Sequence, residues 1–169
     1  FVVGNSLVPL PATGIIAFFI NLLTSILIIH LFQCIIKICM EYDVGFVGLG
    51  YVGLSTAVCF SNRRMKVLGI EIDTNKISQI RKAKTPIHEK DMSELLKKAI
   101  DKNNLVVSSD YNELQKTRII FLTVGTPSTK TGSIDVRYIR QATKEIAKII
   151  KSIDEYFLIV IKSTVVPGT

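Results

Sequence analysis

The run Val44-Gly45-Phe46-Val47-Gly48-Leu49-Gly50-Tyr51-Val52-Gly53 leaves this chain few ways to fold. An apolar stretch enters a G-x-G-x-x-G turn and residues 54–60 continue as a helix-like run, so a strand must hand over to a helix through a tight corner. The three glycines are expected to do different things. Gly48 permits the turn, Gly50 lets a pyrophosphate approach the backbone, and Gly53 lets helix and strand pack closely. Free N–H groups and the helix dipole favour an anion at that N-terminus. A second strand carries Glu71, 23 residues past Gly48. That is near the spacing at which a carboxylate meets the ribose hydroxyls of a dinucleotide.

From Tyr42 onward strand and helix signals alternate, as a parallel sheet with crossover helices requires. The pattern predicts strands over 43–48, 66–72, 105–108, 118–124 and 156–161. It predicts a helix over 51–61 and another over 74–84, capped by Thr74 and ended by Pro86. Asp91 with Glu94 reads as a capping-box-like start, followed by an apolar face of Met92, Leu95, Leu96, Ala99 and Ile100. Asp135 reads as the N-cap of a helix with the stripe Val136, Ile139, Ala142, Ile146, Ile149, Ile150 and Ile153. The expected fold is α/β, a doubly wound parallel sheet, truncated before its sixth strand because the order 3-2-1-4-5-6 needs one more.

With 169 residues, the chain has room for one ordinary domain plus an extension. Two segments are expected: an apolar leader over 1–39 and an incomplete dinucleotide-binding domain over 40–169. The formal charge of +7 belongs mostly to the second, since Lys37 is the one charged side chain of the leader. The basic residues are dispersed, with no arginine-rich run and no aromatic interleaving, which argues against nucleic-acid binding. Anionic ligands such as nucleotides are the economical use of that charge. Cys34, Cys39 and Cys59 lack zinc spacing, and His30 and His88 are far apart, so no metal site is expected. Cys59 reads as a small buried hydrophobe in a core-facing helix, and reduced thiols fit a cytoplasmic protein.

Residues 14–36 are uncharged over 23 positions, long enough for a helix to cross a bilayer. Lys37 and the Arg63-Arg64 pair lie on its C-terminal side, which keeps the following part in the cytoplasm. A secretory signal fits less well, with no positive region before the run and no small-residue cleavage site after it. The competing reading is spurious upstream translation, because Met40 falls two residues before the first strand. A membrane is a partner only if the leader is genuine.

Two hydroxyl-rich loops complete the picture. The fourth strand runs into Thr123-Val124-Gly125-Thr126-Pro127-Ser128, and the fifth into Lys162-Ser163-Thr164-Val165-Val166-Pro167-Gly168-Thr169. Ligands of open α/β sheets bind beyond the carboxyl ends of the strands, so both loops are expected to line the crevice of the glycine turn. Gly125 gives backbone access, Pro127 stiffens the turn, and Thr126 and Thr164 offer hydroxyls to a cofactor or ordered water.

GFVGLGYVGLS, GIEIDTNKI, TPIHE, FLTVGTPS with a later acid at Asp135, and VIKSTVVPGT follow one another in an order that resembles the UDP-glucose/GDP-mannose dehydrogenase family. The resemblance spans about residues 42–169 and looks most like UDP-glucose dehydrogenases, with UDP-N-acetylmannosamine dehydrogenase as a close alternative. It implies oxidation of a sugar's primary alcohol to a carboxylate by two successive NAD molecules, through a cysteine-bound thiohemiacetal and thioester. By resemblance, Gly48, Gly50, Tyr51, Val52 and Gly53 hold the pyrophosphate. Glu71 is the ribose acid, where the family usually has Asp, and Lys76 lies near the adenosine end. Val124, Gly125, Thr126 and Ser128 surround the adenine ribose and nicotinamide side. Thr164 serves both the cofactor and, as the one catalytic candidate, the water near the reacting carbon.

The family's nucleophilic cysteine, oxyanion lysine and asparagine, dimerisation segment and UDP site all lie downstream of these motifs. The chain alone is therefore expected to be inactive. A UDP-sugar substrate and a homodimer belong to a full-length form. A non-catalytic, membrane-tethered dinucleotide-binding module is the alternative from another class. Hydroxyacid and 6-phosphogluconate dehydrogenases fit less well, because TVGTPS and KSTVVPGT together do not match them.

Overall fold

The computed structural model describes residues 2, 3, 6, 7, 27, 40–129 and 132–165. The chain divides into two compact units, Phe1–Cys39 and Met40–Thr169. In the first, Val2–Val3 pairs antiparallel with Ser6–Leu7. The predicted spanning run, 14–36, lies outside the described residues apart from Leu27. Among the described residues no helix is long and apolar enough to cross a membrane.

In the second unit β1 (Val44–Val47), α1 (Tyr51–Asn62), β2 (Val67–Ile70), α2 (Thr74–Arg81), α3 (Met92–Asp101) and β3 (Leu105–Ser108) come first. A 3-10 turn (Tyr111–Lys116), β4 (Ile119–Leu122), α4 (Arg137–Ile150) and β5 (Leu158–Ile161) follow. The five strands form one parallel sheet in the order β3-β2-β1-β4-β5. Sequential crossovers build β1 to β3 outward on one side, and the chain then returns past β1 to start β4. That reversal opens a crevice at the carboxyl ends of β1 and β4.

Helices cover both faces, which is why β1 and β2 are buried at every position. On one face Val44 and Phe46 pack with Leu54, Ala57 and Val58 of α1 and Leu96 and Ala99 of α3. Phe46 and Phe121, opposite each other in register, stack at 5.0 Å, and Phe60 meets both edge-on. On the other face Val47, Leu68, Ile70, Ile120 and Leu122 pack with Leu114 and with Ile139, Ala142 and Ile146 of α4.

Several local expectations need correction. Asp73, not Thr74, caps α2, accepting from the N–H groups of Asn75 and Lys76, and the helix stops at Arg81 rather than Lys84. Asp91 has φ +61° and makes no side-chain cap bond, since a capping box requires extended backbone at that position. Glu94 reaches forward instead, to Lys98 at 2.7 Å. Asp135 lies one residue before the Val136 cap position and accepts the N–H of Arg137. Cys59 is exposed: α1 buries Gly53, Leu54, Ala57, Val58 and Ser61, and helical phase turns position 59 to the opposite side.

Candidate functional site

The glycine turn is shaped by three different constraints. Gly48 has φ +91°, a conformation that penalises any side chain. Gly53 lies so close to β1 that an added Cβ would sit 1.9 Å from the Gly48 carbonyl oxygen. Gly50 has an ordinary φ of −72°, and a Cβ there would meet nothing within 4 Å. Its small size therefore keeps space open in front of the helix. Gly50 occupies the N-cap position of α1, with no side-chain cap and no acid in the first turn. The positive end of the helix is left to an anion.

Glu71 closes one side. Its carboxylate is buried, with 7% of the residue exposed, and both oxygens are engaged. Oε2 accepts the Leu49 N–H at 3.0 Å, and Oε1 accepts the N–H groups of Ile72 and Asp73 at 2.9 and 3.2 Å. Lys76, in the first turn of α2, brings its Nζ to 3.9 Å from Oε2.

A crevice of about 350 Å³ runs from this corner toward α4. It brings together Gly48, Gly50, Glu71, Lys76, Val124 and Gly125 of the predicted set. Tyr51, Val52, Gly53, Thr126, Ser128 and Thr164 do not line it. Tyr51 and Val52 begin α1 with exposed side chains, and Ser128 pairs with Ile134 in a short antiparallel bridge. Thr126 gives its hydroxyl hydrogen to the Thr164 carbonyl at 2.9 Å and so keeps only acceptor capacity for a ligand. Asp135 steadies this loop: its N–H bonds the Pro127 carbonyl, and its carboxylate is held down to about 2 by the Arg137 guanidinium and backbone N–H.

The crevice also uses residues that the sequence pattern did not single out. Tyr138, Gln141 and Glu145 line it from α4, at spacings of three and seven from Tyr138 and beside the predicted stripe residue Ala142, a face that helical periodicity could have supplied. Tyr111 enters from the unpredicted 3-10 turn, whose Asp110 cap was its one local signal. Burial, and the nearby Glu145 and Glu71 charges, push the Tyr111 hydroxyl above its ordinary value. Among the described residues no cluster of His, Cys, Asp and Glu could hold a metal ion.

The comparisons with known proteins agree with this geometry. The NAD binding domain of the UDP-glucose/GDP-mannose dehydrogenase family matches residues 42–169. The chain belongs to that family. Over 127 residues it is 38% identical to GDP-mannose 6-dehydrogenase from Pseudomonas syringae pv. syringae, covering 75% of this chain and 29% of that protein. Over 128 residues it is 40% identical to UDP-glucose 6-dehydrogenase from Rickettsia felis, covering 75% and 28%. A solved ternary complex of GDP-mannose dehydrogenase from Pseudomonas aeruginosa superposes with a TM-score of 0.73 at 35% identity, covering 75% of this chain and 29% of that one. The chain thus spans less than a third of the length of these relatives.

Membership of the UDP-glucose/GDP-mannose dehydrogenase family makes NAD the cofactor of this domain. The residues present fit it: an uncapped helix end, open space at Gly50 and at Gly125, and a carboxylate at the end of β2. When bound, NAD supplies a hydride acceptor. The protein's part is to hold and orient it.

Proposed function

We propose that the chain is the NAD-binding portion of a nucleotide-sugar dehydrogenase that oxidises the primary alcohol of UDP-glucose to the carboxylate of UDP-glucuronate. The observation that carries the reading is the open space in front of Gly50, beside an uncapped helix end and the Glu71 corner. In this reading the pyrophosphate lies against the backbone of Gly48, Gly50, Tyr51, Val52 and Gly53. Glu71 and Lys76 meet the adenosine ribose. Val124, Gly125, Thr126 and Ser128 surround the adenine ribose and the nicotinamide side, and Thr164 orients water near the reacting carbon.

The 40% identity to the Rickettsia felis enzyme supports UDP-glucose. The 38% identity to the Pseudomonas syringae enzyme supports GDP-mannose as the second reading. By the family resemblance, the nucleophile and the sugar-nucleotide site lie downstream of these motifs, so the chain by itself should form no NADH. A homodimer belongs to the longer form. The free Cys59 thiol supports a reducing, cytoplasmic setting.

Calorimetric titration of the chain with NAD is the direct test, and absence of binding would defeat the reading. NADH formation from UDP-glucose, UDP-N-acetylmannosamine or GDP-mannose by the chain free of host enzyme would show that the active site has been misassigned.

A further inference from the structure

The ladder bonds of a parallel sheet end where its strands end, yet three hydroxyls continue the pairing past that point. Thr123 Oγ1 donates to the Gly48 carbonyl at 2.7 Å, joining the loop after β4 to the glycine turn. Ser163 Oγ donates to the Val124 carbonyl at 2.8 Å, joining the loop after β5 to the loop after β4. Thr126 Oγ1 returns the link, donating to the Thr164 carbonyl at 2.9 Å. The last two bonds run in opposite directions between the same two loops, so either loop can move only by breaking both.

Ser163 does not itself line the crevice. Its single hydroxyl hydrogen lies on a carbonyl that belongs to a crevice-lining residue, Val124. Thr164 follows directly, and its exposed hydroxyl has no hydrogen-bond partner among the described residues. We propose that Ser163 is a positioning residue: with Thr126 it forms a two-way latch that sets the Val124–Gly125 backbone against the Thr164 hydroxyl before any ligand binds. The inference rests on the reading of this crevice as the NAD site. In that reading the latch acts on the nicotinamide side through the Thr164 hydroxyl, whereas Glu71 and Lys76 hold the adenosine end from β2 and α2.

The test compares the whole chain with Ser163→Ala and Ser163→Thr, using NAD and ADP-ribose, which lacks the nicotinamide, as probes. Loss of one partly buried hydrogen bond is worth about tenfold in an equilibrium constant. Ser163→Ala should therefore weaken NAD about tenfold and leave ADP-ribose within twofold, and Ser163→Thr should restore NAD binding. Equal loss for both ligands, or no rescue by threonine, overturns the inference. Hydrogen exchange on the ligand-free chain supplies a second arm. Amides of Gly125 and Thr126 should exchange about tenfold faster in Ser163→Ala and in Thr126→Val, and unchanged exchange overturns the latch. If the parent binds neither nucleotide, the NAD reading fails, while the exchange arm still decides whether the latch exists.

Discussion

Leu49 donates its backbone N–H to Oε2 of Glu71 at 3.0 Å, fastening the middle of the glycine turn to the end of the adjacent strand. With Ile72 and Asp73 donating to Oε1, the carboxylate organises two corners before it meets a ribose. It is an anchor for the loop as well as a recognition group.

Glu71→Gln should therefore harm both stability and selectivity. The amide can accept on one side only, and its NH2 group faces a backbone N–H on the other. An unsatisfied donor at a buried site costs about 1–3 kcal/mol, which thermal melting would register. In the parent a 2′-phosphate would approach the carboxylate, and like charges 4 Å apart repel by about 4 kcal/mol at an effective dielectric of 20. Lys76 at 3.9 Å offsets part of that. NAD should still bind at least about tenfold tighter than NADP, and Glu71→Gln should narrow the gap. Equal affinity in the parent would overturn this account of selectivity.

Two glycines of one motif should fail in different ways. Gly50→Val puts its Cβ where nothing stands within 4 Å, so the melting temperature should hold while NAD binding disappears. Gly53→Ala drives a methyl to 1.9 Å from the Gly48 oxygen and 2.7 Å from Thr123 Oγ1. Backbone must move, at a cost of about 3 kcal/mol or more. Circular dichroism and NAD titration of the pair separate ligand space from packing space. Normal binding by Gly50→Val would remove the basis for a pyrophosphate there.

Acid should release the loop before α4. The Arg137 guanidinium and N–H lower the Asp135 carboxyl from 3.8 to about 2. A lowered folded-state value means the contribution is complete above pH 4 and fades as pH falls toward 2. Arg137 is largely solvent-exposed, so salt should shrink the effect. Protection of the Asp135 and Arg137 amides relative to their intrinsic exchange rates, followed from pH 5 to 2, should fall in that window. Asp135→Asn should flatten the profile, and an unchanged profile in that variant would refute the assignment.

The sheet order and the adjacency of β1, β4 and β5 are legible in the sequence because strand runs and helix stripes are local patterns, and the crossover rule orders them. The parts played by Gly48 and Gly53 are legible for the same reason. Cys59 runs against expectation because membership of a helix does not fix which face a residue takes. The side-chain partners of Thr126 and Ser163 have no local signal at all. They are carbonyls 38 and 39 positions away, chosen by strand register rather than by neighbours in sequence. Asp91 shows the converse limit, since the residues of a capping box are present but the backbone enters the helix from the left-handed region.

The two sheet edges should differ in how they treat a second chain. At β3, Arg81 covers the Val107 carbonyl with Nε and an NH2 group at 3.0 and 2.6 Å, removing an acceptor that an incoming strand would need. At β5, among the described residues, β4 is the one paired neighbour. Leu158 and Ile161 are 42% and 55% exposed there. An apolar edge with unpaired backbone is a template for association. Light scattering should show the chain's mean mass rising with concentration, and its melting temperature should shift with it. Ile161→Lys adds a charge to that edge without touching the glycine turn or the core. It should lower the mass at every concentration while keeping NAD affinity. Comparing the two chains cancels any association through residues 14–36, which both carry. A parent that stays monomeric, or a lysine variant that associates equally, would show that this edge is not the contact.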